Sequence, residues 1–512
     1  MKRLRTRLFS IAMAFAMLIG LLPVTALAAE GSAASINGAE YATLAEAFAA
    51  VKDEAVTVTL LRDTEVPSPI TIAEGKTVTL DMQGHKISVS NDFSGRVFVN
   101  NGTFTIQGNG TIDVTAAGQN GYGSVNNFGT LTVSGGTYTN PKASDASNFY
   151  NRSGGTATFE NAAIYGGGGC IATAVNTITT IHGGYYEDET YPAIENRGNM
   201  LITGGTFVNT SCSSCDSRWG YTVRSGESSA NAYLKIQGAA EDSVKVTGVQ
   251  GGLAVVGGTA DIYNGIYKTT ACKVHTTGAS AFYAGYFTGE SYKTATTIYG
   301  GTFQSCSKTA VLVGNGNPAP DSGAGKESTV MIKGGTYIGG DTAKTAITVN
   351  KSEYAVGAAN ITGGTFSSNV AQYMADDHKT IQRGDQWVVG TLDELAVAEV
   401  NGQKYLTLTE ALDAAADGQT VKLLADSTGN TKVAIRDGRK LTLDLNGFHA
   451  GFAKNQNISI YQGGMDMIGR GKLYEEQPNY APIMLYGSND PQASNYTTVT
   501  VGKDVTLEGW SG

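Results

Sequence analysis

The residues best suited to chemistry fall between Ser211 and Asn231, where Asp216, Arg218, Trp219, Tyr221, Arg224 and Glu227 crowd into one stretch. The chain holds only three Trp. A Trp beside Arg and Asp, on a loop leaving a rigid scaffold, offers a flat apolar face, a fork of N–H donors and an acceptor. That is a set able to grip a sugar or a partner surface. Asp216, Arg218, Trp219 and Tyr221 are therefore the candidate ligand-binding residues; the plainer alternative is that Trp219 packs its loop onto the scaffold. Glu187-Asp188-Glu189 could hold a calcium ion through oxygen ligands, or could simply be an acidic surface run. Asp376-Asp377-His378 reads as a solvated loop, and Arg383-Gly384-Asp385 spells an integrin-binding tripeptide in residues that any tight turn tolerates.

The scaffold that must hold these residues is written in a short repeated phrase. Val-Ser-Gly-Gly-Thr-Tyr at 133–138 returns as Ile-Thr-Gly-Gly-Thr-Phe at 202–207, Ile-Tyr-Gly-Gly-Thr-Phe at 298–303, Ile-Lys-Gly-Gly-Thr-Tyr at 332–337 and Ile-Thr-Gly-Gly-Thr-Phe at 361–366. Degenerate copies stand at 181–186 and 262–267, and weak ones end at Ile164 and lie near Gly238. One unit per few tens of residues is the spacing of a solenoid. Upstream of each phrase lies a second strand ending in an Asn/Gly turn, as in Val99-Asn100-Asn101-Gly102, Asn126-Asn127-Phe128-Gly129 and Glu195-Asn196-Arg197-Gly198. Asn and Gly tolerate the left-handed backbone of tight corners, and Thr, Val, Ile and Tyr suit the strands between them.

Three short strands per turn, stacked on like neighbours, predict an all-β chain: a right-handed parallel β-helix, the hand following from the usual parallel crossover. Rungs at about 4.8 Å set the final aromatics in one column and the corner Asn residues in another, both structural. The same stacking bears on Cys212-Ser-Ser-Cys215 and Cys272-Lys-Val-His275, which together mimic a zinc ligand pattern. Cys212 and Cys272 fall about two rungs apart, roughly 10 Å, so a local CxxC pair is favoured and no metal site is assigned. Cys170 and Cys272 are expected to point inward as small hydrophobes, in the place other units give to Ile194, Val311 and Ile347.

Residues 29–90 form a capping segment together with the first rungs. Ile36-Asn37-Gly38 leads to a capping box, Thr43-Leu44-Ala45-Glu46, which starts a short helix through about Lys52. Strands are expected at Val56 to Leu61, Ile70 to Ile72 and Thr77 to Met82. Such a helix would cover the open end of the stack, where unpaired strand edges invite aggregation. The capping segment recurs: Val400-Asn401-Gly402, Thr407-Leu408-Thr409-Glu410 and Leu443-Asp444-Leu445-Asn446-Gly447 repeat it closely. The chain is thus parsed as a signal segment at 1–28, the capping segment at 29–90, rungs at 91–366, a closing segment with a hairpin at 367–399, and a second, apparently incomplete module at 400–512.

Lys2, Arg3, Arg5 and Arg7, the apolar run Leu8 to Leu22 and Ala26-Leu27-Ala28 have the form of a secretory signal. Its removal takes the formal charge from −9 to −13. An acidic, secreted or surface-held chain argues against nucleic acid and anionic lipid as partners, and disfavours a polyanionic ligand unless basic residues line one groove. Five Cys are too few for a disulfide scaffold.

The Asn corner, the Gly-Gly corner and the stacked apolar columns resemble the right-handed parallel β-helix proteins of the pectin-lyase-like superfamily. The run Gly-Lys-Thr-Val-Thr-Leu-Asp-Met-Gln-Gly at 75–84, joined to Gly-Gly-Thr-Phe rungs, is similar to large secreted repeat proteins of Gram-positive anaerobes. The resemblance implies lyases acting through calcium and an Arg or Lys base, hydrolases acting through rung Asp residues, or non-catalytic adhesins. Neither catalytic set is recognisable here: Gly84-His85-Lys86 lacks the second Gly of the hydrolase pattern. The expectation is a glycan-binding or cell-binding repeat protein or spacer, the alternative being a polysaccharide lyase or glycoside hydrolase; no cofactor is expected, with calcium the one ion weighed.

Overall fold

The computed structural model describes residues 31–52, 55–140, 146–210, 220–227, 229–249, 251–271, 280–285, 293–314, 326–352, 355–477 and 480–509. The chain is a parallel β-helix divided into two compact units, residues 1–234 and 235–512. Among the described residues no helix is long and apolar enough to cross a membrane.

In the first unit the chain visits three parallel sheets in turn. One runs through Val56–Leu60, Thr77–Asp81, Thr103–Gln107, Thr130–Val133, Thr156–Phe159, Ile178–Ile181 and Asn199–Ile202. A second runs from Thr64–Val66 to Gly205–Asn209. The third, which carries the candidate site, contains β1 (Gly95–Asn100), β2 (Gly121–Asn127), β3 (Phe149–Asn151), β4 (Ile171–Thr173), β5 (Ile194–Asn196) and β6 (Tyr221–Ser225). Alternate residues face the core, so Phe98, Val125, Phe149, Ile171, Ile194 and Val223 form one buried column.

Each corner has a physical cause. In the Gly-Gly pair the second Gly takes positive φ, 87° at Gly136 and 121° at Gly205. The first is forced by close approach: a Cβ on Gly334 would sit 2.6 Å from the Tyr299 carbonyl. The aromatic that follows fills the core, and where it is Tyr its hydroxyl donates back to that first Gly, Tyr138 to Gly135 O at 2.7 Å and Tyr186 to Gly183 O at 2.8 Å. At the other corner the Asn side chains form a buried ladder, Asn100 Nδ2 to Asn127 Oδ1 at 2.7 Å and Asn127 Nδ2 to Asn151 Oδ1 at 2.8 Å. The same amide of Asn127 donates to the Gly129 and Thr156 carbonyls, tying the turn to the next rung.

The first capping helix is Leu44–Ala49, held by the Thr43/Glu46 capping box. Its Phe48 rests on Phe98 and Phe104 at ring-centroid separations of 5.5 and 6.0 Å, so the helix covers the end of the core. In the second unit the aromatics Tyr267, Phe303, Tyr337 and Phe366 stack within 3–9° of parallel. That stack ends on the hairpin His378–Arg383 and Gln386–Thr391, which pairs antiparallel to Gly364–Phe366. His378 therefore opens a strand and does not belong to the expected loop. A second capping segment follows, with Leu408–Ala414 capped by Thr407 and Glu410. Arg439 caps the other end of that helix, donating to Ala415 O at 2.9 Å.

Two expectations shift by local geometry. Ile164 joins the aromatic column as foreseen, but the weak copy near Gly238 fills it with Val246, because the turn Glu241–Ser243 lengthens that corner. Cys170 precedes the Ile194 column by one residue: Ile171 pairs with Ile194. Such a step reverses facing in a regular strand, yet Cys170 stays fully buried, at the strand's entry, 3.3 Å from the Ile164 and Glu187 carbonyls.

The Asn ladder predicts a strong effect from a small change. Asn127→Ala leaves two corner carbonyls and two neighbouring Asn side chains short of partners, and should cost about 2–4 kcal/mol. A urea titration followed by circular dichroism should show this as a lower midpoint; an unchanged midpoint would mean the ladder does not stabilise the corners.

Candidate functional site

On the third sheet the residues facing away from the core form a second column in register: Val99, Asn126, Tyr150, Ala172, Glu195 and Arg224. The corner just beyond adds Arg152 and Arg197, each directly after a ladder Asn. Beside this column lies a cleft of about 480 Å³, lined chiefly by Arg96, Tyr122, Tyr150, Tyr191, Glu195 and Arg197.

At one end two guanidinium groups share one ring. Arg152 lies 3.9 Å from the Tyr150 centroid and donates from Nε to Asn126 Oδ1 at 2.6 Å. Arg96 lies 5.5 Å from the same centroid and donates to the Ser147 carbonyl at 2.7 Å. Arg96 is 7% exposed, and its Nε has no hydrogen-bond partner among the described residues. Burial, then the charge of Arg152, brings its pKa down to about 10. Among the described residues neither guanidinium has a carboxylate partner. A buried cation is costly unless an anion and hydrogen bonds compensate it, and no described residue supplies an anion to this seat.

The other end is balanced. Glu195 Oε1 accepts from Arg197 at 2.5 Å and lies 3.2 Å from Arg224. Glu227 contacts Arg224 and lies 3.9 Å from Arg197. Two acids thus meet two bases. Arg224 is fully buried, and burial lowers its pKa, while burial raises that of Glu227 against the pull of Arg224.

A buried carboxylate braces the wall. Asp188 accepts N–H groups from Gly169 at 2.7 Å, Thr190 at 2.7 Å and Tyr191 at 2.6 Å, next to Gly168 and Tyr191 of the cleft. Burial pushes its pKa up to about 6, with the three N–H donors pulling the other way. Glu187 faces the opposite side of the strand and accepts the Tyr185 hydroxyl at 2.5 Å, so these two carboxylates do not converge on one ion.

Of the sequence-derived candidates, Asp216, Arg218 and Trp219 lie outside the described residues, as do Cys212, Cys215, Cys272 and His275. Tyr221 is buried at the head of β6 and does not line the cleft. Arg224 and Glu227, from the same stretch, join the ion quartet. Arg96, Tyr150, Arg152, Glu195 and Arg197 were not singled out from sequence; the available signal was the pair Asn151-Arg152 and Asn196-Arg197, an Arg set at one corner on alternate rungs. No family model, curated protein or solved structure matches the chain.

The raised pKa of Asp188 predicts a pH slope. Its folded value of about 6 exceeds the ordinary 3.8, so its contribution is fully present below the ordinary value and is lost as pH rises through about 6. Between pH 5 and 7 the wild type should lose about 1 kcal/mol from this group. Denaturation of wild type and Asp188→Asn at both pH values checks it: the variant should show a shallower slope, and equal slopes would contradict the assignment.

Proposed function

We propose that the chain is a secreted or cell-surface β-helical binding protein of pectin-lyase-like architecture, and that the cleft on its third sheet takes a glycan bearing carboxylate or sulfate groups. The observation that carries this reading is Arg96, a buried cation whose Nε is unpartnered among the described residues, with a second guanidinium beside it. The three tyrosines supply amphipathic walls for a sugar, and the open cleft leaves room for a chain to run through. The overall acidity of the protein does not oppose this, because Arg96, Arg152 and Arg197 line this one groove.

Polysaccharide lyase or glycoside hydrolase activity is the second reading. It draws on Glu195 and Glu227, two carboxylates from adjacent rungs that share Arg224, with Glu227 held towards its protonated form as a general acid would be.

Retention of the whole chain on immobilised polygalacturonate, chondroitin sulfate and neutral galactan separates these readings, with reducing ends and unsaturated-product absorbance followed on the same polymers, with and without calcium. Retention on an acidic polymer without product is expected, and Arg152→Gln should weaken it about tenfold, one charge-assisted hydrogen bond's worth. Equal retention on galactan, or none anywhere, would sink the binding reading. New reducing ends or unsaturated product would establish catalysis and direct attention to Glu227→Gln.

A further inference from the structure

We infer that Tyr122 is the sugar platform of the cleft, so that the seat selects an acid group carried on a pyranose ring over the same charge on an open chain. This rests on the acidic-glycan reading and deepens it, naming the surface the sugar ring lies on and the feature of the ligand it selects.

Tyr122 stands where the strand ladder is interrupted. Gly121 of β2 pairs with Gly95 of β1, and Gly123 pairs with the next residue, Arg96, so Tyr122 is an extra residue with no partner on the preceding rung. A bulge of this kind turns a side chain out of the regular column. Close approach holds both flanking positions to glycine. A Cβ on Gly121 would lie 2.9 Å from Ala117 Cβ and from Val114 Cγ1, and one on Gly123, where φ is 118°, would lie 2.5 Å from the Asn148 backbone. The backbone is thus pressed against its neighbours on either side of the one residue whose side chain leaves the stack. That side chain is a tyrosine 42% exposed, on a strand whose other residues are buried or half-buried.

An exposed aromatic is ordinary on a protein surface. This one lines the cleft together with Arg96, its neighbour across the bulge. Of the two tyrosines nearest that cation, Tyr150 already carries the guanidinium groups of Arg96 and Arg152 against its ring. Among the described residues no aromatic ring and no cation stacks on Tyr122. A pyranose holds its hydroxyls around its rim and C–H groups on its faces, and the carboxylate of a uronic acid leaves the rim close to the ring plane. A ring laid on Tyr122 buries C–H groups against an apolar face and sends its acid group sideways, towards a neighbouring guanidinium. An open-chain acid of the same charge can reach the guanidinium groups but brings no ring to the platform. Charge draws in both ligands, and the tyrosine separates them.

The test is calorimetric titration of the whole chain, at one ionic strength, with three oligomers of matched charge. Oligogalacturonate and chondroitin sulfate carry their acid groups on pyranose rings; oligo-L-glutamate carries its carboxylates on open side chains. At least one of the two glycans should bind about five- to tenfold more tightly than oligoglutamate, the size of one aromatic contact. Tyr122→Ala should remove that preference, weakening the glycan by the same factor and leaving oligoglutamate unchanged, while Tyr122→Phe, which keeps the ring, should preserve it. The side chain is exposed, so neither change should disturb folding. A Tyr122→Ala variant that binds the glycan as tightly as the wild type would overturn the platform while leaving the acidic-glycan reading intact. Oligoglutamate matching both glycans would overturn the platform and leave only an acid-binding seat, and no binding by any of the three would overturn both.

Discussion

The structure depends on rung-to-rung pairing at fixed register. Because each strand's N–H and C=O groups are spent on the rungs before and after it, a residue stands directly over its counterpart one turn earlier, and what one position permits is decided by its neighbours along the stack. A buried amide facing another amide can donate to one and accept from the next, which is why Asn survives at 100, 127 and 151 where an isolated buried Asn would be a liability, while Asn196 finds the same relief between hydroxyls, accepting from Thr173 and donating to Ser225. A Gly backbone passing over the preceding corner cannot be replaced, since a Cβ at Gly129 would lie 2.1 Å from the Gly102 carbonyl.

The same constraint rations the positions open to function. Inward columns are committed to the core and corner columns to the backbone, leaving the outward column of each sheet and the residue just after the corner Asn. Even outward aromatics can be absorbed into the stack. Tyr263 and Tyr299, in the second unit, lie 4.4 Å apart and nearly parallel, with Lys235 over one and Lys333 over the other. Their faces are occupied, so the pair reads as a stabilising ladder on the surface and not as a platform for a sugar. Tyr150 differs because its companions are two arginines that have no carboxylate partner among the described residues.

Legibility followed the same division. The helix Leu44–Ala49, its repeat at Leu408–Ala414, the Gly-Gly corners and the closing hairpin could be read directly, because capping boxes, Asn/Gly turns and period-two strands act over a few residues. Errors came where register had to be counted across an irregular corner: Cys170 was placed one residue late, and the turn Glu241–Ser243 displaced a column member from near Gly238 to Val246. The site was nearly illegible. Arg96 reaches the Tyr150 ring from a strand two rungs away, and Arg197 and Glu227 meet across Arg224 only through stacking. Their separations in sequence are set by loop lengths that vary from turn to turn, so no local pattern could mark them. The one regularity, Arg after the ladder Asn on alternate rungs, is two instances long.

The two arginine groups of the third sheet show how burial alone fails to separate structure from function. Arg224 is the more deeply buried, but Glu195 and Glu227 pair with it, so part of its desolvation is offset within the fold. Arg96 is nearly as dehydrated, and its compensation among the described residues is one carbonyl and the face of a tyrosine. If the seat were only structural, a neutral side chain of similar reach could pack there without the cost of a buried charge and of Arg152's repulsion. Keeping the cation makes physical sense if the missing partner comes from outside, because an anion entering the seat recovers at once the Coulombic and hydrogen-bonding energy that the fold leaves unclaimed.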